Sequence, residues 1–260
     1  MNSTHTQTTP ESTRSDLTGT PTIVVGASRG LGRGIATAFA DAGAPVVAVS
    51  RTAAEFPEPA GGGTIQAEVA DAGDATAAAR LLDRYEPQAV VLAAGASPSM
   101  RPLQQQTWET FSVNWQTDVR IAFHWLREAL LKPLRPGSRV IVISSGAVLA
   151  GSPLSGGYAG AKATQRYITA YAQDEATRAG LDVSFTAVLP QITPLTDLGR
   201  PAIQAYAARA GHSFEEHVEQ IGPLLTPEIA GAAMVELVQA DAATVAPAYL
   251  LTGAGLAKLP

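Results

Sequence analysis

From residue 22 onward the sequence alternates short, strongly apolar runs with stretches of helical periodicity, and few architectures accept that order. The apolar runs lie at 22–25, 45–49, 89–93, 139–143, 183–189 and 248–251, with a weaker, alternating run at 64–69. They are rich in Val, Ile and Ala at successive positions, which suits strands covered on both faces. Helical stretches at 31–42, 75–85, 105–131, 158–179, 203–221 and 227–239 separate them. A β-α-β-α order of this kind implies right-handed crossovers and a parallel sheet with helices on both sides. The expected fold class is α/β, a doubly wound parallel sheet. No internal repeat or shift in composition marks a second domain, so one domain is expected over 20–260. Residues 1–19 are polar, rich in Ser and Thr, and lack the apolar stretch of a secretory leader. They read as a disordered tail on a cytoplasmic protein.

Composition narrows the chemistry. The chain of 260 residues contains no cysteine, which removes disulfides, thiolate metal sites and a cysteine nucleophile. His5, His124, His212 and His217 show no ligand spacing, so no metal is expected. A net charge of −5 speaks against a nucleic-acid partner. No apolar run approaches the roughly 20 residues of a membrane span.

The first apolar run leads into Gly26-Ala27-Ser28-Arg29-Gly30-Leu31-Gly32 and then a helix. A strand, a glycine turn and a helix N-terminus bring backbone N–H groups and a positive dipole end to a pyrophosphate. The turn therefore makes the expected sheet Rossmann-like. Ser28, Arg29 and Leu31 join the three glycines as candidate cofactor contacts. The same letters contain G-x-S-x-G, the nucleophile elbow of α/β-hydrolases. Asp197 with His212 or His217 would complete a triad in the right chain order. That elbow, however, belongs after several strands, and both histidines lie in a polar helical stretch.

The second run ends in Val49-Ser50-Arg51, with no acid to hold a ribose 2′-hydroxyl. Arg51 and Arg29 could instead clamp a 2′-phosphate with charge-assisted bonds. NADP(H) is thus expected in preference to NAD(H).

Tyr158 and Lys162 are spaced to share one helix face, about 6 Å apart along the axis. A free tyrosine titrates near pH 10, and an adjacent ammonium favours its phenolate. The pair is therefore a candidate acid–base unit. Thirteen residues earlier, Ser145 ends the run Val140-Ile141-Val142-Ile143-Ser144-Ser145. Ser144 is expected on the other side of that strand, since side chains alternate.

At this point the chain resembles the short-chain dehydrogenase/reductase family in its single-domain form, from about Thr22 to Gly255. Gly26, Gly30 and Gly32 match the family's cofactor glycines, and Tyr158 and Lys162 match its YxxxK. Ser145 matches the catalytic serine, and Asn114 matches the asparagine. The resemblance implies that Tyr158 exchanges a proton with a carbonyl or alcohol substrate while hydride moves to or from the nicotinamide. Ser145 would stabilise the alkoxide, Lys162 would hold the nicotinamide ribose, and Asn114 would position a water.

The resemblance also places Glu68 and Val69 at the adenine, Ala93, Ala94 and Gly95 beside the adenosine, and Pro190, Ile192 and Thr193 at the nicotinamide. Three departures stand out. Ala93 replaces the usual asparagine of Asn-Ala-Gly, Glu68 replaces an aspartate, and Gln191 replaces the glycine of Pro-Gly. Gln191 could alter its loop or project toward the substrate. Residues 193–222, with Tyr206, Phe214 and His217, lie where the family keeps a substrate lid. Ser97, Val148 and Leu154 are further candidates for the pocket. The family's oligomers imply a homodimer or homotetramer through the helices at 105–131 and 158–179. A bound cofactor serving epimerisation, dehydration or regulation is the alternative reading.

Overall fold

The structure, a computed structural model, describes residues 16–260. One eight-stranded sheet forms the centre. Its strands are β1 (Thr22–Val25), β2 (Pro45–Ser50), β3 (Thr64–Val69), β4 (Ala89–Leu92), β5 (Ser138–Ile143), β6 (Val183–Pro190), β7 (Ala248–Thr252) and β8 (Gly255–Leu259). In space they run β3-β2-β1-β4-β5-β6-β7-β8. All pairs are parallel except β7 with β8.

The helices are α1 (Gly30–Asp41), α2 (Ala75–Tyr85), α3 (Trp108–Asn114), α4 (Arg120–Leu131), α5 (Ala147–Ala150), α6 (Gly156–Arg178), α7 (Gly199–Ala210), α8 (Phe214–Ile221) and α9 (Pro227–Gln239). Alternation along each strand feeds two cores. Val24, Val46, Val91 and Ile141 pack with Ile35 and Phe39 of α1 and Met234 of α9. Their neighbours Ile23, Val25, Val47, Val90 and Val140 pack with Leu81 of α2, Trp125 of α4 and Ala172 of α6. Both faces are thus buried, as the continuous apolar runs require. The doubly wound, Rossmann-like α/β fold is the one expected.

Four local expectations change. The stretch 105–131 is not one helix: Thr107 and Thr110 form a capping box that starts α3 at Trp108. A π-helical turn, Trp115–Val119, then separates α3 from α4. The stretch 203–221 is two helices. Gly211 closes α7 in the left-handed conformation, and Ser213 with Glu216 caps the start of α8. Residues 255–259 form an antiparallel edge strand, the hairpin partner of β7. Finally, the expected tail at 1–19 falls outside the described residues as far as residue 15. Asp16–Gly19 belong to the domain instead. Leu17 is buried against the α1 side of the core, and its N–H donates to the Ala42 carbonyl at 2.7 Å.

The Ser213 cap offers a local test. Ser213→Ala removes the acceptor for the Glu216 N–H at 3.1 Å, and about 1 kcal/mol of stability should go with it. Urea unfolding checks the loss, and hydrogen exchange should locate it in α8.

Candidate active site

The strand order reverses direction between β1 and β4, and open parallel sheets hold ligands beyond the carboxyl ends of strands at such a point. A cleft of about 780 Å³ opens there. Its first wall is the glycine turn. Gly26 has φ +87°, and a Cβ on it would come within 2.5 Å of the Ala94 nitrogen. Glycine is required both by this close approach of two backbones and by the left-handed conformation. The Gly26 N–H donates to the Val49 carbonyl at 2.8 Å, tying the turn to β2.

Next, α1 begins at Gly30 with Arg29 at its N-cap. No side chain caps its first amides, and no acid occupies its first turn. An uncapped helix N-terminus facing a cleft suits an anionic group. Ser28, Arg29, Ser50 and Arg51 line the same end, so the donors and charges fit a phosphorylated dinucleotide. Arg29 also pairs with Asp197 across the cleft mouth at 3.3 Å, with both side chains largely exposed.

The opposite end carries the candidate acid–base groups. Ser144 turns away into the core, where its hydroxyl donates to the Lys162 carbonyl at 2.8 Å. Ser145 is left on the cleft wall, its Oγ accepting the Ala147 N–H at 3.2 Å. Tyr158 and Lys162 lie one turn apart on α6, with Lys162 Nζ 5.6 Å from the centre of the Tyr158 ring. The ammonium is buried and donates to the Ile143 carbonyl at 3.2 Å. Asp118, which sequence reasoning did not select, places Oδ2 3.2 Å from the same Nζ. Burial by itself pulls the lysine pKa down. The Asp118 carboxylate, helped by Tyr158, outweighs burial, and the net shift is upward from the ordinary lysine value.

Of the residues selected from sequence, Gly26, Ser28, Arg29, Gly30, Leu31, Gly32, Ser50, Arg51, Ala93, Ala94, Gly95, Ser145, Tyr158, Lys162, Pro190, Gln191, Ile192 and Thr193 all line the cleft. Several others do not. Glu68 turns toward α2, where Tyr85 Oη donates to it at 2.8 Å and Arg80 pairs with it at 3.1 Å. These contacts hold its carboxyl below the usual glutamate range, the Tyr85 hydrogen bond foremost. Val69 is exposed away from the cleft, and Ala70, Asp71 and Ala72 form that wall instead. Asn114 is buried one layer behind the wall, donating to the Ala96 carbonyl at 2.7 Å.

On the substrate side Ser97 lines the cleft as expected. Val148 packs instead under β6. Leu154 is buried, and its carbonyl accepts the Arg101 N–H. Gln191 lines the cleft, yet its amide nitrogen is committed to the Pro223 carbonyl at 2.6 Å. From the lid stretch, Tyr206 reaches the wall and its hydroxyl meets those of Ser152 and Ser155. Phe214 lies under Arg200, and His217 stacks on Tyr206. Among the described residues no histidine lines the cleft, so neither His212 nor His217 stands beside Ser28 and the hydrolase reading fails.

A signal for Asp118 does exist in the sequence. Asp118, Ile121, Ala122 and Trp125 follow helical spacing, so a carboxylate sits on a stripe that is otherwise apolar beyond it.

The family model for short chain dehydrogenase matches residues 21–207. A short-chain type dehydrogenase/reductase of Picea abies is 31% identical over 230 residues, covering 80% of this chain and 85% of that relative. Solved structures share the fold. A short chain dehydrogenase from Mycobacterium avium superposes with a TM-score of 0.74 at 23% identity, over 94% of this chain and 85% of that one. A short-chain type dehydrogenase/reductase from Mycobacterium ulcerans gives 0.75 at 22% identity, over 93% of each chain. Among the described residues, no helix is long and apolar enough to cross a membrane. With fold, sequence match and cleft in agreement, the chain belongs to the short-chain dehydrogenase/reductase family, oxidoreductases that work with a nicotinamide cofactor.

Proposed function

We propose that this protein is an NADP(H)-dependent reductase or dehydrogenase acting on a carbonyl or secondary alcohol, with Tyr158 as general acid and base. One observation carries the reading. Ser145, Tyr158 and a buried, charged Lys162 share one wall of a cleft whose far end is an uncapped helix N-terminus. The bound nicotinamide supplies or accepts the hydride. Tyr158 donates its proton to the substrate oxygen in reduction and takes it back in oxidation. Ser145 hydrogen-bonds the oxygen as charge develops on it. Lys162 holds the nicotinamide ribose and favours the tyrosine's charged form. The turn amides at Ser28–Gly32 hold the pyrophosphate, and the loop from Pro190 to Thr193 holds the nicotinamide end.

Because the side-chain amide of Gln191 is spent on Pro223, that departure supports an altered loop rather than a different net reaction. The stretch 193–222 serves as the lid. Arg29 with Asp197, and Tyr206 with Ser152 and Ser155, join it to the two ends of the cleft. Exposed Trp108, Phe123, Tyr167 and Tyr171 on α3, α4 and α6 support a homodimer or homotetramer through those helices. The activity test is NADPH oxidation across a panel of aldehydes and ketones, followed at the nicotinamide absorbance. Tight NADPH binding with no oxidation anywhere in the panel would overturn the reading.

The cofactor preference rests on Ser50 ending β2 and Arg51 following it, where an acid would select NAD(H). Arg51→Asp removes one charge-assisted bond and adds repulsion. NADPH affinity should fall about 10- to 100-fold while NADH affinity holds or improves. Fluorescence titration with both cofactors reads the change. An unchanged NADPH-to-NADH ratio would show that Arg51 does not contact the 2′-phosphate.

A further inference from the structure

We infer that Asp118 is a positioning residue of this site: its buried carboxylate holds the Lys162 ammonium beside Tyr158 and pins the loop after β4 that forms part of the cleft wall. The inference rests on the reading of Lys162 as part of the acid–base machinery.

Asp118 is fully buried, yet it borders the cleft. Its two oxygens face different elements. Oδ2 lies 3.2 Å from Lys162 Nζ on α6. Oδ1 accepts the Ala96 N–H at 2.8 Å and the Asn114 amide at 3.3 Å. The Asp118 backbone carbonyl accepts Gln165 Nε2, again from α6, at 2.9 Å. One residue thus joins the β4 loop, α3 and α6 immediately behind the tyrosine.

The backbone is shaped for this contact. Asp118 lies in the π-helical turn Trp115–Val119, which holds one residue more than a regular turn. Such turns recur at functional sites. In an uninterrupted α-helix each residue advances about 100°, so losing the extra residue would swing position 118 off the lysine. Gly95 leaves the space. A Cβ there would come within 2.7 Å of Asp118 Oδ2.

The pairing also accounts for the altered sequence at the end of β4. Ala93-Ala94-Gly95 has no side chain that could anchor its own turn. Asp118 supplies the anchor from the facing helix, through the Ala96 N–H.

Charge decides the functional weight. A buried ammonium without a counter-ion loses its proton readily. The groups placed against the Lys162 ammonium are Asp118 Oδ2, the Ile143 carbonyl at the end of β5 and the Tyr158 ring on α6. Asn114 and Gln165 hold Asp118, and Ser144 bonds the Lys162 backbone carbonyl. Asp118 is the carboxylate among them. Arg120, two residues on, places its guanidinium against Gly73 instead. Without Asp118, burial acts on the lysine almost unopposed.

The test compares the native protein with Asp118→Asn, Lys162→Met and the double variant. Asparagine keeps an acceptor for Ala96 while removing the charge. In urea unfolding, Asp118→Asn should be less stable than the double variant, in which no uncompensated ammonium remains. A double variant no more stable than Asp118→Asn would overturn the charge pairing, including the case in which neither folds. NADPH titration gives the second readout, without turnover. Affinity in Asp118→Asn should fall about tenfold between pH 7 and 9.5 as Lys162 loses its proton, against less than about twofold in the native protein. Equal pH dependence in the two proteins would reduce Asp118 to a purely structural role and overturn the inference. Stability coupling together with the shifted NADPH profile, but no carbonyl reduction by the native protein, would uphold the inference and reject the proposed reaction alone.

Discussion

Tyr158→Phe is expected to lower kcat about a thousandfold, inside the range that a positioned acid–base group contributes, while NADPH affinity stays within about threefold of native. The substitution deletes one oxygen and leaves the ring in place over Lys162, 5.6 Å from its Nζ. Lys162 keeps its two anchors, the Ile143 carbonyl and Asp118. The glycine turn and Arg51 lie at the other end of the cleft. Proton exchange with the substrate oxygen is therefore the function removed, while cofactor binding remains. Steady-state NADPH oxidation at saturating carbonyl and a fluorescence titration separate the two quantities. Turnover close to native would assign the proton to another group, and lost cofactor binding would make Tyr158 a binding residue.

The largest stability effect is expected at Gly26. Gly26→Ala places a Cβ 2.5 Å from the Ala94 nitrogen and 2.6 Å from the Ala94 Cα, at a backbone φ of +87°. The left-handed conformation costs an L-residue on the order of 1–3 kcal/mol, and forced overpacking adds about 1–3 kcal/mol. The obstructing atoms are backbone, so no side-chain rotation relieves the clash. A loss of about 4 kcal/mol is a large share of the roughly 5–15 kcal/mol that holds a domain together. Relief would have to come from β1 moving away from the loop after β4, which would widen the pyrophosphate end of the cleft. Urea unfolding of the cofactor-free protein measures the first effect, and NADPH titration of the folded fraction measures the second. A loss under about 1 kcal/mol would show that the two backbones separate easily, and the glycine would then serve the cofactor alone.

These two sites differ in how far the sequence revealed them. The placement of Tyr158, Lys162 and Ser145 on the cleft was legible because it follows local rules: a four-residue helical spacing and a strand end where alternation separates Ser144 from Ser145. Gly26 was legible as part of a turn, but its contact with Ala94 joins residues far apart in sequence. Glu68 shows the limit of placing a residue by position in a strand. Its backbone lies where expected, but Tyr85, Arg80 and Arg84 draw the carboxylate toward α2. Gln191 was marked as a departure without an outcome, because Pro223, its partner, lies on a different segment. Helix ends followed the same division. Gly211 and the Ser213–Glu216 box were readable stop and start signals inside a stretch taken as one helix. The π-helical turn at Trp115–Val119 has no comparable local mark.

By itself the sequence determined the alternation of strands and helical stretches as far as β7, the two-sided burial of the sheet, the glycine turn and the spacing of Tyr158 and Lys162. Periodicity and short-range geometry encode all of these. Only the tertiary structure decided which polar groups meet. It set Asp118 against Lys162, took Glu68 and Asn114 off the cleft wall, tied Gln191 to Pro223, and brought Leu17 into the core. Each of these contacts joins separate segments, and the energy of a buried charge or hydrogen bond depends on a partner that no local pattern names.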